Sequence, residues 1–167
     1  VSGGVPLDLP MLELARQRNI PITNDAQLFL ERCPAPVIGI TGSAGKTTTT
    51  TLVGEIVRLA GYKTWVGGNI GDVLLDVLPD ISRDDVVVME LSSFQLELMD
   101  MSPQVGAILN ITPNHLDRHK TMDAYIDAKL NIIRHQNSSN IAVLSVDNPI
   151  TNSLEVAVKG ELAQFSN

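Results

Sequence analysis

Four short runs along the chain are apolar at nearly every position: 36–41 (PVIGIT), 85–91 (DVVVMEL), 105–111 (VGAILNI) and 141–146 (IAVLSV). Runs without polar alternation suit strands buried on both faces, as in a parallel sheet. Residues 62–66 (YKTWV) mix polar and apolar positions and predict a more exposed strand, and a last strand is expected near 162–165. Helical patterns lie between these runs. Residues 46–60 carry Leu52, Val53, Ile56, Val57 and Ala60 at helical spacing, with Gly61 as the stop. Short helices are expected over 72–78, ended by Pro79, and over 148–159, with a longer one over 121–135. Strand and helix in alternation, with short connections, predict an α/β fold: a mostly parallel sheet flanked by helices.

The first 35 residues have a different texture. Asp8 is placed to cap a helix beginning at Pro10, and Asn24 to cap one running to about Arg32. Residues 33–36 (CPAP) read as a linker, which sets 1–34 apart from 35–167.

Composition narrows the function. The 167 residues hold 12 basic and 19 acidic side chains, a net charge of −7, and the pI is about 4.8. Nucleic-acid binding needs a basic footprint that this chain lacks. One cysteine, Cys33, excludes an internal disulfide and a cysteine-based metal site. No apolar stretch is long enough for a membrane span, and no signal peptide is visible at the start. These features predict a cytoplasmic protein without nucleic-acid or membrane partners. The start at Val1 reads as that of a piece of a longer protein.

The strongest chemical signal is VIGITGSAGKTTTTTLV, residues 37–53. A buried strand runs into Gly42, Ser43, Ala44, Gly45, Lys46, Thr47 and Thr48 and then into a helix, the context of a phosphate-binding loop. Glycines let backbone N–H groups converge on phosphate oxygens, and the helix N-terminus adds partial positive charge. Lys46 is suited to the terminal phosphates and the Thr47 hydroxyl to Mg²⁺. The general pattern asks for glycine at position 40, where this chain has Ile40.

Three further residues stand out. Glu90 ends the run 86–89 (VVVM), where a charge is costly unless it reaches a strand end or a cation. Ligands gather at such ends in open α/β sheets, so Glu90 is positioned to share Mg²⁺ with Thr47. His115 follows the next strand and lies on the same rim, whereas His119 and His135 read as surface residues. Lys129 interrupts the helical face of Met122, Tyr125, Ile126, Leu130 and Ile133. It is either a lysine snorkelling to water or a desolvated amine able to react, for instance with CO₂ to give a carbamate.

Together these residues resemble the Mur ligases, the ATP-dependent amide-forming enzymes of peptidoglycan precursor synthesis. Residues 41–48 (TGSAGKTT) are similar to the family's nucleotide loop. Residues 90–97 (ELSSFQLE) are similar to the member that adds D-glutamate to UDP-N-acetylmuramoyl-L-alanine. Residues 67–71 (GGNIG), 110–118 (NITPNHLDR) and 125–130 (YIDAKL) match in the same order. The resemblance implies that Lys46 and Thr47 hold ATP and a first Mg²⁺, that Glu90 ligates that ion, and that His115 and a carbamylated Lys129 serve a second. It implies that Asn69, Ser92, Gln95 and His115 contact the UDP-sugar substrate, with D-glutamate as the incoming amine. Asp117 and Arg118 are expected to pair and hold their loop.

There are departures from the family pattern. Ala44 stands where the family usually has asparagine, and Ser2-Gly3-Gly4 replaces Ser-Pro-Gly. Family enzymes have three domains. The resemblance makes residues 1–34 the tail of the N-terminal UDP-substrate domain and 35–167 most of the central ATP-binding domain. A monomer, incomplete for full turnover, is expected. The alternatives are a sister ligase (another Mur ligase or a folylpolyglutamate synthase) or a nucleotide-binding module without ligase chemistry. Residues 92–95 (SSFQ) argue against the sister enzymes, and no Asn/Thr-Lys-x-Asp motif supports a guanine-specific switch.

Overall fold

The computed structural model describes every residue except 4, 72 and 167. Six strands form one sheet: β1 (Val37–Thr41), β2 (Thr64–Gly68), β3 (Val86–Glu90), β4 (Val105–Ile108), β5 (Ile141–Ser145) and β6 (Glu161–Phe165). Their order is β2-β3-β1-β4-β5-β6, and every neighbouring pair is parallel. The helices are α1 (Pro10–Gln17), α2 (Asp25–Leu30), α3 (Lys46–Leu59), α4 (Leu74–Val77), α5 (Ser93–Leu96), α6 (Leu116–His119), α7 (Met122–Arg134) and α8 (Pro149–Ser153).

Strand side chains alternate between two cores, as the two-residue period requires. One core holds Val37, Val87, Met89, Ile108 and Leu144 against Tyr125, Ile132 and Ile133 of α7. The other holds Ile40, Val88 and Ala107, with Val53 of α3 and Val66 packed against them. The first core also takes in Ala26 and Phe29 of α2. Asn24 caps that helix by accepting from Gln27 N (2.8 Å) and donates to Gln95 O (2.7 Å). Gln27 completes the attachment by exchanging two hydrogen bonds with Asp100.

Several elements differ from expectation. The cap position before α1 is Leu9, without a side-chain cap bond, so Asp8 does not serve; Pro10 at the first position removes one donor that would need satisfying. The strand expected over 62–66 lies at Thr64–Gly68, because pairing with β3 runs from Thr64 to Gly68. As an edge strand it is only half-buried, in line with its mixed composition. The helix expected over 148–159 is α8 followed by a 3₁₀ turn at Leu154–Ala157. The Ser153 hydroxyl donates back to Ile150 O (2.7 Å), a local bond that competes with helix continuation. The helix expected over 72–78 begins at Asp72, outside the described residues; α4 covers its middle and a 3₁₀ turn at Leu78–Asp80 runs through Pro79.

At the end of the sheet away from the β1–α3 loop, Asp85 is buried and accepts from the Trp65 indole (2.8 Å) and from Ser82 N (3.1 Å). These bonds, the indole first, lower its pKa from 3.8 to about 2. The stabilisation from a depressed carboxylate is complete above its unfolded value and is lost as pH falls through its folded value. Asp85→Asn should therefore lower the urea midpoint at neutral pH. Its deficit against wild type should shrink as pH falls from about 4 and vanish near about 2. A deficit that persists unchanged at the acid end would assign it to packing rather than charge.

Candidate active site

The chain moves from β1 outward to β2 in one direction and to β4 in the other, so the crevice at the carboxyl end of β1 is a topological switch point. The loop between β1 and α3 occupies it. Ile40, at the pattern's glycine position, is 1% exposed inside β1. The turn itself therefore begins at Gly42. Gly45 enters α3 with φ +82°, a left-handed conformation that a glycine adopts at little cost. Asn110, just past β4, cradles the loop by accepting from Ala44 N (2.9 Å) and donating to Ala44 O (3.1 Å). The departure at Ala44 therefore leaves the backbone held. Ser43 Oγ donates to Thr112 O (3.0 Å), accepts from Thr112 N (2.9 Å) and lies 3.0 Å from Tyr125 Oη.

Two lysines converge on this loop. Lys46 Nζ and Lys129 Nζ each donate to Gly42 O at 3.0 Å, and Lys129 Nζ also donates to Thr41 Oγ1 (3.1 Å). Lys129 is 1% exposed and stands over the Tyr125 ring. It does not snorkel to water. Burial, and then the Lys46 charge, lower its pKa to about 7, so a substantial share of the amine is neutral near neutral pH.

Glu90, 1% exposed, has both oxygens engaged. Thr47 Oγ1 donates to Oε2 (2.8 Å), and Asn69 Nδ2 donates to Oε1 (2.9 Å). Asn69 N also donates to Glu90 O (2.9 Å). Gly68 has φ +107°, and a Cβ there would collide with that carbonyl oxygen.

His115 is exposed on the rim, with φ +53° and its ring edge-on to Phe94 at 5.1 Å. Ser92 and Gln95 form a capping box at the start of α5, so their polar atoms serve the helix as well as the cleft beside it. Arg118 donates to Val5 O (3.1 Å) and covers the Phe94 ring, which ties the His115 loop to the N-terminal segment. His119, expected at the surface, is 6% exposed; its Nε2 lies 3.0 Å from Ser93 Oγ and its ring stacks on Phe94. Burial is the main cause of its lowered pKa. Asn110, Tyr125 and His119 went unread in the sequence as site-building residues.

A cavity of about 180 Å³ joins Gly42, Lys46, Asn69, Ser92, His115, Tyr125 and Lys129. It adjoins a cleft of about 890 Å³, lined among others by Ser2, Asn24, Asp25, Asn69, Ser92, Gln95, His115 and Arg118. Of the sequence-predicted residues, Gln95 lines only the larger space and Lys46 and Lys129 only the smaller. Ala44 and Gly45 line a third cavity, of about 380 Å³, with Thr49, Asn110 and residues at the ends of β5 and β6. Among the described residues, no group of three or more His, Cys, Asp or Glu side chains is arranged to hold a metal ion.

A parallel sheet with a lysine-bearing glycine loop at its switch point defines the class of phosphate-loop α/β domains. Residues 40–166 match the family model of the Mur ligase middle domain. The chain belongs to the Mur ligase family through this domain. It is 48% identical over 160 residues to the UDP-N-acetylmuramoylalanine–D-glutamate ligase of Clostridium acetobutylicum, covering 96% of this chain and 35% of the relative. It is also 48% identical over 166 residues to the enzyme of that name from Symbiobacterium thermophilum, covering 99% and 36%. The chain thus spans about a third of the length of these relatives. Among solved structures it is similar to the MurF ligase of Thermotoga maritima in complex with ADP, with a TM-score of 0.65 at 26% identity over 84% of this chain and 35% of that one. Escherichia coli FolC in complex with DHPP and ADP shares the fold, with a TM-score of 0.58 at 17% identity over 98% and 52%.

Gly68→Ala should destabilise the domain by at least about 1–3 kcal/mol, from a strained backbone and a forced retreat of β2 from Glu90. Urea unfolding measures this. A variant as stable as wild type would show that the β2 end adjusts freely and that Asn69 is not held by Glu90.

Proposed function

We propose that this chain is the nucleotide-binding core of an ATP-dependent ligase of peptidoglycan precursor synthesis, one that adds D-glutamate to UDP-N-acetylmuramoyl-L-alanine. Residues 35–167 are read as its central domain, and residues 1–34 as the end of the domain that holds the uridine nucleotide. The observation that carries the reading is the small cavity, which puts Lys46 beside Asn69, Ser92 and His115 at the mouth of the large cleft. A triphosphate in the loop and a substrate carboxylate in the cleft then meet at one point. The relatives of D-glutamate ligase name supply the identity of the amine.

The chemistry has two steps. The substrate carboxylate attacks the γ-phosphorus, giving an acyl phosphate and ADP. The amine of D-glutamate then attacks the acyl carbon, loses a proton and expels phosphate. The chief obstacle is the meeting of two anions in a protein of net charge −7. The loop's N–H groups, the start of α3 and Lys46 provide local positive potential, which helps most where negative charge grows in the transition state. Lys46 leaves Gly42 O to reach the phosphates. His115, on the cleft side, orients the carboxylate for in-line attack.

The donor set suits Mg²⁺. Thr47 Oγ1 and Glu90 Oε2 are hard oxygen donors 2.8 Å apart, and Mg²⁺ typically takes one or two protein oxygens and completes its shell with phosphate and water. His115 and a carbamate on Lys129 would hold a second ion. When bound, the two ions neutralise developing charge on the transferred phosphoryl group. The buried, partly neutral amine of Lys129 can add to CO₂, forming an N–C bond and losing a proton to water, and the carbamate formed is an anion stabilised by Lys46 nearby. The family resemblance supports a cytoplasmic monomer, and among the described residues no helix is long and apolar enough to cross a membrane.

Lys46→Ala should abolish Mg-ATP binding measured by calorimetry while circular dichroism stays unchanged. Equal affinity in the variant would remove the loop from the reading. Lys129 should give a ¹³C carbamate resonance when the protein is equilibrated with ¹³C-bicarbonate, and Lys129→Met should lose it. A spectrum without that resonance at any pH would discard the modification. In the full-length parent, D-glutamate should drive ADP release, and preference for another amino acid would move the assignment to a sister ligase.

A further inference from the structure

Asn69 is fastened to Glu90 at two points, and its neighbour Gly68 has the one side chain that allows it. The backbone N–H of Asn69 donates to Glu90 O and its side-chain amide to Glu90 Oε1, both at 2.9 Å. A Cβ on Gly68 would close the approach to that same carbonyl. Glu90 sits in the sheet beside Ile40 of β1 and Gly68 of β2, so the carboxylate leaves the strand between the phosphate loop and the Asn69 turn. Thr47 steadies one oxygen and Asn69 the other. An ionised carboxylate has about four lone-pair directions. Two are therefore taken by fixed donors, and the carboxylate cannot rotate without breaking one of them.

We propose that Asn69 is a positioning residue for the cation site. It sets the rotation of the Glu90 carboxylate so that its remaining lone pairs face a divalent ion on the nucleotide phosphates. This rests on the nucleotide reading above and adds to it. Asn69 also borders the large cleft, and an amide that gives its nitrogen to Glu90 still has its oxygen to offer a substrate donor. One exposed side chain then links the cation site to the substrate cleft, with no part in phosphate binding itself. Outer partners of this kind typically contribute about 10–100-fold to metal affinity.

The test uses ADP and Mn²⁺ with the whole 167-residue chain. ADP affinity is measured by calorimetry in EDTA, and Mn²⁺ affinity of the ADP complex by electron paramagnetic resonance. Asn69→Leu, close in size but without a donor, should weaken Mn²⁺ by about tenfold or more and leave metal-free ADP affinity unchanged, while Tm falls because the buried Glu90 Oε1 loses its donor. Asn69→Ser, whose hydroxyl is too short to reach, should behave alike and serves if the leucine variant folds poorly. In a Glu90→Gln background, Asn69→Leu should have no further effect, because its action runs through that carboxylate. Unchanged Mn²⁺ affinity in both variants overturns the proposal, as does an equal loss of metal-free ADP binding, which would assign Asn69 to the loop. Wild-type protein that binds Mn²⁺ no better with ADP than without overturns the cation site itself. Wild-type protein that fails to bind ADP at all refutes the nucleotide reading.

Discussion

One carbonyl oxygen, that of Gly42, accepts hydrogen bonds from two lysine amino groups, Lys46 on α3 and Lys129 on α7. Like charges do not share a partner cheaply, and after burial the Lys46 charge is the second cause of the lowered Lys129 pKa. Lys129 is buried beside the Tyr125 ring, with Thr41 Oγ1 as its other acceptor. The loop, the first turn of one helix and the middle of another, which touch opposite faces of the sheet, are thereby referenced to one atom. Tyr125 reinforces the junction through Ser43, and Asn110 does so from the end of β4.

Glu90 balances this concentration of positive charge from the neighbouring strand. Its pairing with hydroxyl and amide donors, rather than with a lysine, keeps it available to a cation. Both lysines meet the loop at Gly42 O, whereas the carboxylate meets the start of α3 through Thr47. A surface of net negative charge can thus hold a polyanion, because the local field and not the total decides.

Much of this could be read from the residues. The buried parallel sheet follows from four uninterrupted apolar runs, and the loop from its glycines, Lys46 and Thr47 in a strand-to-helix context. Lys129 announced itself by breaking an apolar helical face; that pattern left open a lysine snorkelling to water or a desolvated amine, and its burial beside the Tyr125 ring decides for the second. Other parts depend on neighbours far along the chain. His119 reads as a surface residue because nothing local signals Ser93, 26 positions earlier. Tyr125 counts as one more apolar position until its hydroxyl is seen against Ser43. Helix α3 meets the sheet through the buried Thr50 and Gly54, leaving Leu52 and Ile56 mostly exposed; hydrophobic spacing alone favours the larger residues. Small residues win because they let the helix come close.

The clasp between Gln27 and Asp100 spans 73 positions, and β1 pairs with β3 and β4 rather than with the strand that follows it in sequence. On the ribosome, the phosphate loop and α2 emerge long before the segments that hold them. The nascent chain carries β1 with both edges bare until residues 86–108 have left the exit tunnel. Contacts this distant must close long loops before they reward the chain, and that slows the search for the native arrangement. The order of synthesis therefore makes the β1–α3 loop among the earliest segments of this domain made and among the last secured, a window in which a holding chaperone has the most to protect.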